Sequence, residues 1–176
     1  SSSSADPSQD QINRLVEHYQ AGRLDKAKPL AMSITQKFPK HPFGWKALGV
    51  VLNQMDRLSE SLAPNQKAAE LSPHDAESHY NLGITLKKLG RLEESISSYV
   101  LAIKLQTDSN AYSNLGLALK SARFNKGDRS LYPVLINLLT KKSFVRPSDA
   151  AGAILSLLRL DLLIEDILLN ATAFTD

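Results

Sequence analysis

The chain has 176 residues, 43% apolar and 22% charged, with 21 Lys+Arg against 18 Asp+Glu and no cysteine. That is ordinary globular composition with enough apolar residues for a sizeable core. It excludes disulfides and thiolate metal sites and fits a reducing compartment. The small positive surplus is spread along the chain, not gathered into the basic face a nucleic-acid reader needs, so no nucleic-acid partner is expected. No run reaches the roughly 18 apolar residues of a membrane span, because Arg159, Asp161, Glu165 and Asp166 break even the leucine-rich tail.

Residues 1–7, which include Ser1–Ser4, read as a disordered lead. They show no charged-then-apolar leader, and with Ser1 in place of Met a signal removed earlier stays open. From Ser8 the chain repeats. Arg23-Leu24, Arg57-Leu58 and Arg91-Leu92 are each 34 residues apart, as are Pro39 and Pro73. Leu48-Gly49 and Leu82-Gly83 keep the same step, and Leu115-Gly116 follows after 33. Such a period marks stacked units that each bury an apolar face on the next. Closing each unit after its proline gives boundaries at 8–41, 42–75, 76–108 and a partial unit at 109–124.

Within a unit the pattern predicts two helices. Trp45, Leu48, Gly49 and Leu52 recur as His79, Leu82, Gly83 and Leu86, and again as Tyr112, Leu115, Gly116 and Leu119. The spacing i, i+3, i+4, i+7 puts each set on one buried helical stripe. A glycine there costs about 1 kcal/mol against alanine, a cost that close approach of a neighbouring helix can offset. Gly22 and Gly90 fall where first helices end and a left-handed residue is useful; Asp56 holds that position in the second unit. Second helices carry the small residues Ala27, Ser61, Ala68, Ser95 and Ala102. Pro29 is placed in the first turn of its helix, where a missing N–H costs little. Pro64, one position deeper, is expected to kink its helix or delay its start.

These residues resemble the tetratricopeptide repeat, with its bulky-Leu-Gly-aromatic-Ala-aromatic-Ala-Pro pattern. The match is fullest over 76–105, through His79, Leu82, Gly83, Ser95, Tyr99 and Ala102, and Trp45 and Pro73 strengthen the second unit. The first unit has Arg14-Leu15 where Leu-Gly would stand, and the resemblance ends near Phe124. It implies an all-α fold: a right-handed superhelical solenoid of helix–turn–helix units, about three and a half of them, with a C-terminal helical cap. As to function the resemblance says little. With no cysteine and no catalytic set, the chain is expected to be a non-catalytic module, located in the cytoplasm, that binds a partner protein or peptide in a concave groove.

Residues 125–176 read as a helical capping or junction segment. A polar turn at 125–129 precedes an apolar helix over 131–139 with Pro133 in its first turn. Arg146-Pro147 then breaks the chain, with Ser148 or Asp149 as the next N-cap. Residues 150–169 are apolar on more than one side, so one side can cover the last repeat while the other needs a partner. Leu158, Leu163 and Ile167 are the expected interface residues, and homo-oligomerisation through these helices is one alternative role. Bacterial glycosyl-, sulfo- and methyltransferases carry similar repeats ahead of their catalytic domains. A substrate-docking region of a larger transferase is therefore another alternative.

No set of residues suggests catalysis, a metal or a cofactor. His41 and His74 fall in turns between units, and His79 fills the bulky slot of Trp45 and Tyr112; His18 is the fourth histidine. The sequence has no HExxH, GxSxG or phosphate-cradling glycine loop. A groove has better candidates. The sixth residue of each unit is Asn13, Ala47, Asn81 and Asn114, and carboxamides can bond an extended main chain with little sequence preference. The row is similar to the asparagine ladder of O-linked N-acetylglucosamine transferases, interrupted by Ala47. Lys46, Lys87, Lys88 and Lys120 fall on the same wall and favour an acidic partner. The expected peptide-binding set is Asn13, Lys46, Asn81, Lys87, Asn114 and Lys120. The carboxylate clamp of chaperone-binding members is not formed. Lys46 and Asn81 match it, but Val50, Asn110 and Asn114 stand where Asn, Lys and Arg are required.

Overall fold

The computed structural model describes residues 6–124, 127–140 and 147–161. Among them are nine α-helices, one turn of 3-10 helix and no strand. Contacts divide the chain into two units, Ser1–Gly90 and Arg91–Asp176.

The first unit holds α1 (Gln9–Gln20), α2 (Leu24–Lys37), α3 (Pro42–Gln54), α4 (Leu58–Leu71) and α5 (Ala76–Lys88). Helix α1 starts in a capping box: the Ser8 hydroxyl accepts from Gln11 N, and the Gln11 side chain accepts from Ser8 N. This arrangement satisfies two orphan donors. His41 Nδ1 accepts from Phe43 N at the start of α3, and Pro42 takes the first helical position, where its missing N–H is free of cost.

The repeated Arg-Leu has a geometric origin. Gly22 and Asp56 adopt positive φ, at 68° and 56°. Arg23 N then bonds the His18 carbonyl, and Arg57 N the Leu52 carbonyl, both at 2.9 Å. This six-residue closure ends one helix and aims the chain into the next, which begins at the leucine. Gly90, with φ 77°, closes α5 in the same conformation. The arginine side chain of Arg57 clasps Glu60, one turn into the following helix, at 2.6 Å.

Each helix of this unit packs on the next, and α3 also meets α5. Leu15, Ala31, Leu48 and Leu52 form a buried cluster with Leu30, Phe43 and Ala47 against it. Gly49 allows the approach of α4: a Cβ there would lie 2.5 Å from Asn65 Cγ. Asn65 is buried and donates to Thr85 Oγ1 at 2.9 Å. Thr85 also accepts from Asn53 Nδ2 at 2.8 Å and lies 3.1 Å from the Asn81 carbonyl. Ser61 Oγ adds a contact of 2.9 Å to Asn53 Oδ1. A polar network thus pins α3, α4 and α5 together.

Both prolines lie inside their helices, Pro29 in α2 and Pro64 in α4. Pro29 is not in the first turn as expected, because α2 already begins at Leu24, directly after the Gly22 closure. Pro64 does not delay α4, which begins at Leu58.

The second unit holds α6 (Leu92–Leu105), α7 (Ser109–Ser121), α8 (Tyr132–Thr140) and α9 (Pro147–Arg159), with the 3-10 turn at Arg129–Leu131. Helix α7 packs on α6 and α9, and α8 touches α6. Tyr99, Tyr112, Leu115, Leu119, Leu138 and Leu157 are fully buried. Asp108 caps α7 through Asn110 N and Ala111 N. Arg91 clasps Glu94 as Arg57 does Glu60. After α9, the buried Asp161 accepts a two-pronged bond from Arg129 and another from the Tyr132 hydroxyl. The pair draws the end of α9 onto the start of α8.

Helix α9 begins at Pro147, so Ser148 and Asp149 lie within its first turn and neither is the N-cap expected from the sequence. The expected long apolar helix is described only as far as Arg159. Leu158 is half-buried on α9, whereas Leu163 and Ile167 lie outside the described residues.

Candidate functional site

Helices α1, α3 and α5 of the first unit share a face that carries two adjoining cavities. The first, of about 280 Å³, is lined by Leu15, Val16, Tyr19, Phe43, Lys46, Ala47, Val50, Val51 and Glu77. The second, of about 400 Å³, is lined by Tyr19, Val50, Asn53, Gln54, Asp56, Asn81, Ile84 and Lys88. Tyr19 and Val50 belong to both and form the wall between them. Val16, Val50 and Ile84 occupy one position of the repeat, 34 residues apart. This aliphatic row, three residues beyond the asparagine row, was not singled out from the sequence. Its periodicity was visible, but mid-helix aliphatics read as core.

The two cavities differ in chemistry. The first is largely apolar, and its one cation is already compensated. Lys46 Nζ lies 3.0 Å from Asp75 Oδ2 and 2.8 Å from Glu77 Oε2. Burial pulls the Lys46 ammonium down, but its bonds to Glu77 and Asp75 outweigh this and hold it above its ordinary value. Burial likewise pushes Asp75 up. The Ser78 hydroxyl at 2.6 Å and Lys46 more than offset it, so the carboxyl titrates below the usual range.

The second cavity is rich in donors. Asn81 Nδ2 is shielded from water and has no acceptor. Gln54 Nε2 reaches only the Tyr19 hydroxyl, at 3.5 Å. Lys88 is exposed, with no carboxylate at ion-pair distance among the described residues. Burial and then the Lys88 charge push the neighbouring Lys87 down.

The other candidates are placed as follows. Asn13 is exposed on α1, and its Oδ1 accepts from Gln9 Nε2 at 2.8 Å. Asn114, on α7 of the second unit, donates to its own helix at the Asn110 carbonyl. Lys120 pairs with Asp149 at 3.2 Å. Of the expected peptide-binding set, Lys46 and Asn81 line the cavities and Lys87 adjoins Lys88.

His18, His41 and His79 make structural contacts. His79 Nε2 lies 3.0 Å from the Pro73 carbonyl, one repeat on from Trp45 Nε1, which donates to the Pro39 carbonyl at 2.9 Å. His18 Nδ1 accepts from Arg23 Nε. Among the described residues no group of three or more His, Asp or Glu is placed to hold a metal. No described helix is long and apolar enough to cross a membrane.

Helix pairs repeating every 34 residues, their turns closed by the positive-φ residues Gly22, Asp56 and Gly90, define an all-α helical-repeat solenoid, an architecture built to present surface to partners. Residues 65–97 match the family model described as the tetratricopeptide repeat. The chain is 31% identical over 86 residues to an uncharacterised repeat protein of Arabidopsis thaliana, covering 44% of this chain and 11% of that one. This chain therefore spans a small part of that relative's length. Among solved structures, it is similar to an O-GlcNAc transferase of Thermobaculum terrenum. The TM-score is 0.62 and the identity 23%, over 76% of this chain and 26% of the transferase. It is also similar to the first repeat domain of Spaghetti, solved with the HSP90 peptide SRMEEVD. There the TM-score is 0.61 and the identity 15%, over 66% of this chain and 95% of that domain.

Proposed function

We propose that the chain is a non-catalytic interaction module that holds an extended segment of a partner protein along the α1/α3/α5 face. The observation that carries this reading is the pair of adjoining cavities on one face, formed by residues repeating at the period of the fold. An extended chain laid across successive helices would place alternate side chains into successive cavities, while its main chain meets the polar groups between them. The peptide held by the Spaghetti domain supports this use of the fold. The mode differs: Lys46 is committed to Asp75 and Glu77, and Val50 offers no polar group, so a terminal carboxylate would find no clamp here.

The test is selection of a random dodecapeptide display library on the intact chain. Recovered peptides are then measured by fluorescence anisotropy against wild type and Val50→Trp. The larger side chain fills the wall shared by both cavities, and binding is expected to fall by about tenfold or more, because one desolvated anchor is worth about 2 kcal/mol. Recovered peptides that bind Val50→Trp as tightly as wild type would place the working surface elsewhere.

A further inference from the structure

We infer that this face reads a two-part signal in its partner: a bulky apolar side chain and, two or three residues away, an aspartate or glutamate. The inference rests on the groove reading above and adds the chemistry of the segment.

The apolar half follows from the first cavity. Its walls are Val16, Phe43, Ala47 and Val50, and its ammonium, Lys46, is neutralised by two carboxylates. An acidic side chain entering there would meet Asp75 and Glu77 as well as Lys46, so an apolar one is favoured. The acidic half follows from the second cavity, where three donors still seek partners. Asn81 Nδ2 has no acceptor, Gln54 Nε2 has only a long bond to Tyr19, and Lys88 forms no ion pair among the described residues. Of the acceptors beside them, Asn53 Oδ1 already takes the hydroxyls of Ser61 and Thr85. Asp56 lines the same cavity but does not pair with Lys88. A ligand group that only accepts, and carries negative charge, satisfies this set; that group is a carboxylate. The spacing comes from the helices. Packed axes lie about 8–10 Å apart, and an extended chain rises about 3.3 Å per residue, so neighbouring cavities are two or three residues apart.

The experiment uses the recovered dodecapeptides on the intact chain, with Lys88→Glu and Val16→Trp beside wild type. Lys88 is exposed, so its replacement leaves folding intact, which thermal melting verifies. Peptides enriched on wild type should carry the apolar residue and the Asp or Glu at that spacing. Lys88→Glu should weaken them about tenfold and, on reselection, exchange the acidic residue for Lys or Arg, as reversal of a directed charge does. Val16→Trp should select against the bulky apolar residue alone. Peptides that depend on Val50 but lack the acidic residue, or bind Lys88→Glu equally well, would overturn the two-part reading and leave the groove standing. Peptides that ignore Val50 altogether would overturn both.

Discussion

Replacing Gly49 by alanine adds one methyl group at a close contact between α3 and α4. The new Cβ would stand 2.5 Å from Asn65 Cγ and 2.8 Å from Asn65 Nδ2, where heavy atoms need about 3.5 Å or more. Asn65 has nowhere easy to go. It is 1% exposed and held to Thr85 by its amide. Forcing it aside breaks that bond, which costs about 1–3 kcal/mol for a buried polar group left unpaired. Overpacking adds about 1–3 kcal/mol. Alanine's better helix propensity returns about 1 kcal/mol. The net loss is therefore about 3 kcal/mol, read as a lower urea midpoint at unchanged slope. Asn65→Ala in the same background removes the obstacle, so the double variant should be less destabilised than the two single losses summed, by about 2 kcal/mol. An unchanged or raised midpoint for Gly49→Ala, or strict additivity with Asn65→Ala, would refute the packing argument.

Gly22→Ala and Gly90→Ala meet no atom within 4 Å, so their cost is purely that of a left-handed backbone, about 1–2 kcal/mol each in urea unfolding. Asp56 bears that strain at φ 56°, and Asp56→Gly should be neutral or stabilising by up to about 1 kcal/mol. The Asp75 carboxyl titrates below its ordinary value of 3.8 in the folded chain, so the folded state binds fewer protons than the unfolded state as pH falls. Its contribution is complete above that ordinary value and is lost as pH drops through the lowered folded value. Acid unfolding of Asp75→Asn should accordingly be less steep below about pH 4 than that of wild type.

What could be read in advance depended on whether a residue's role repeats. The 34-residue step placed Trp45 and His79 in one slot, and both do turn a ring nitrogen to the carbonyl of the preceding proline. Gly22, Asp56 and Gly90 were legible as helix ends for the same reason. The sequence reads Lys46 as a groove cation because its partners lie 29 and 31 residues away, Asp75 at the end of its own repeat and Glu77 at the start of the next. The Asn53, Asn65 and Thr85 network was invisible because it joins three helices through residues 20 and 32 apart in sequence. The row of Val16, Val50 and Ile84 repeats faithfully, yet aliphatic side chains at helical spacing do not reveal which of them border open space. In the second unit the period stops, and with it the signal. The start of α9 was misplaced because Pro147 opens the helix itself instead of preceding a cap.

The central claim is that the α1/α3/α5 face of the first unit receives the partner. Nuclear magnetic resonance of the isotopically labelled intact chain, titrated with a recovered dodecapeptide, tests it most directly. The account predicts that shifts concentrate on Val16, Tyr19, Val50, Asn81 and Ile84, with Lys88 moving only for peptides that carry the acidic residue. Shifts confined to α8 and α9, with those six residues unmoved at saturation, would contradict it.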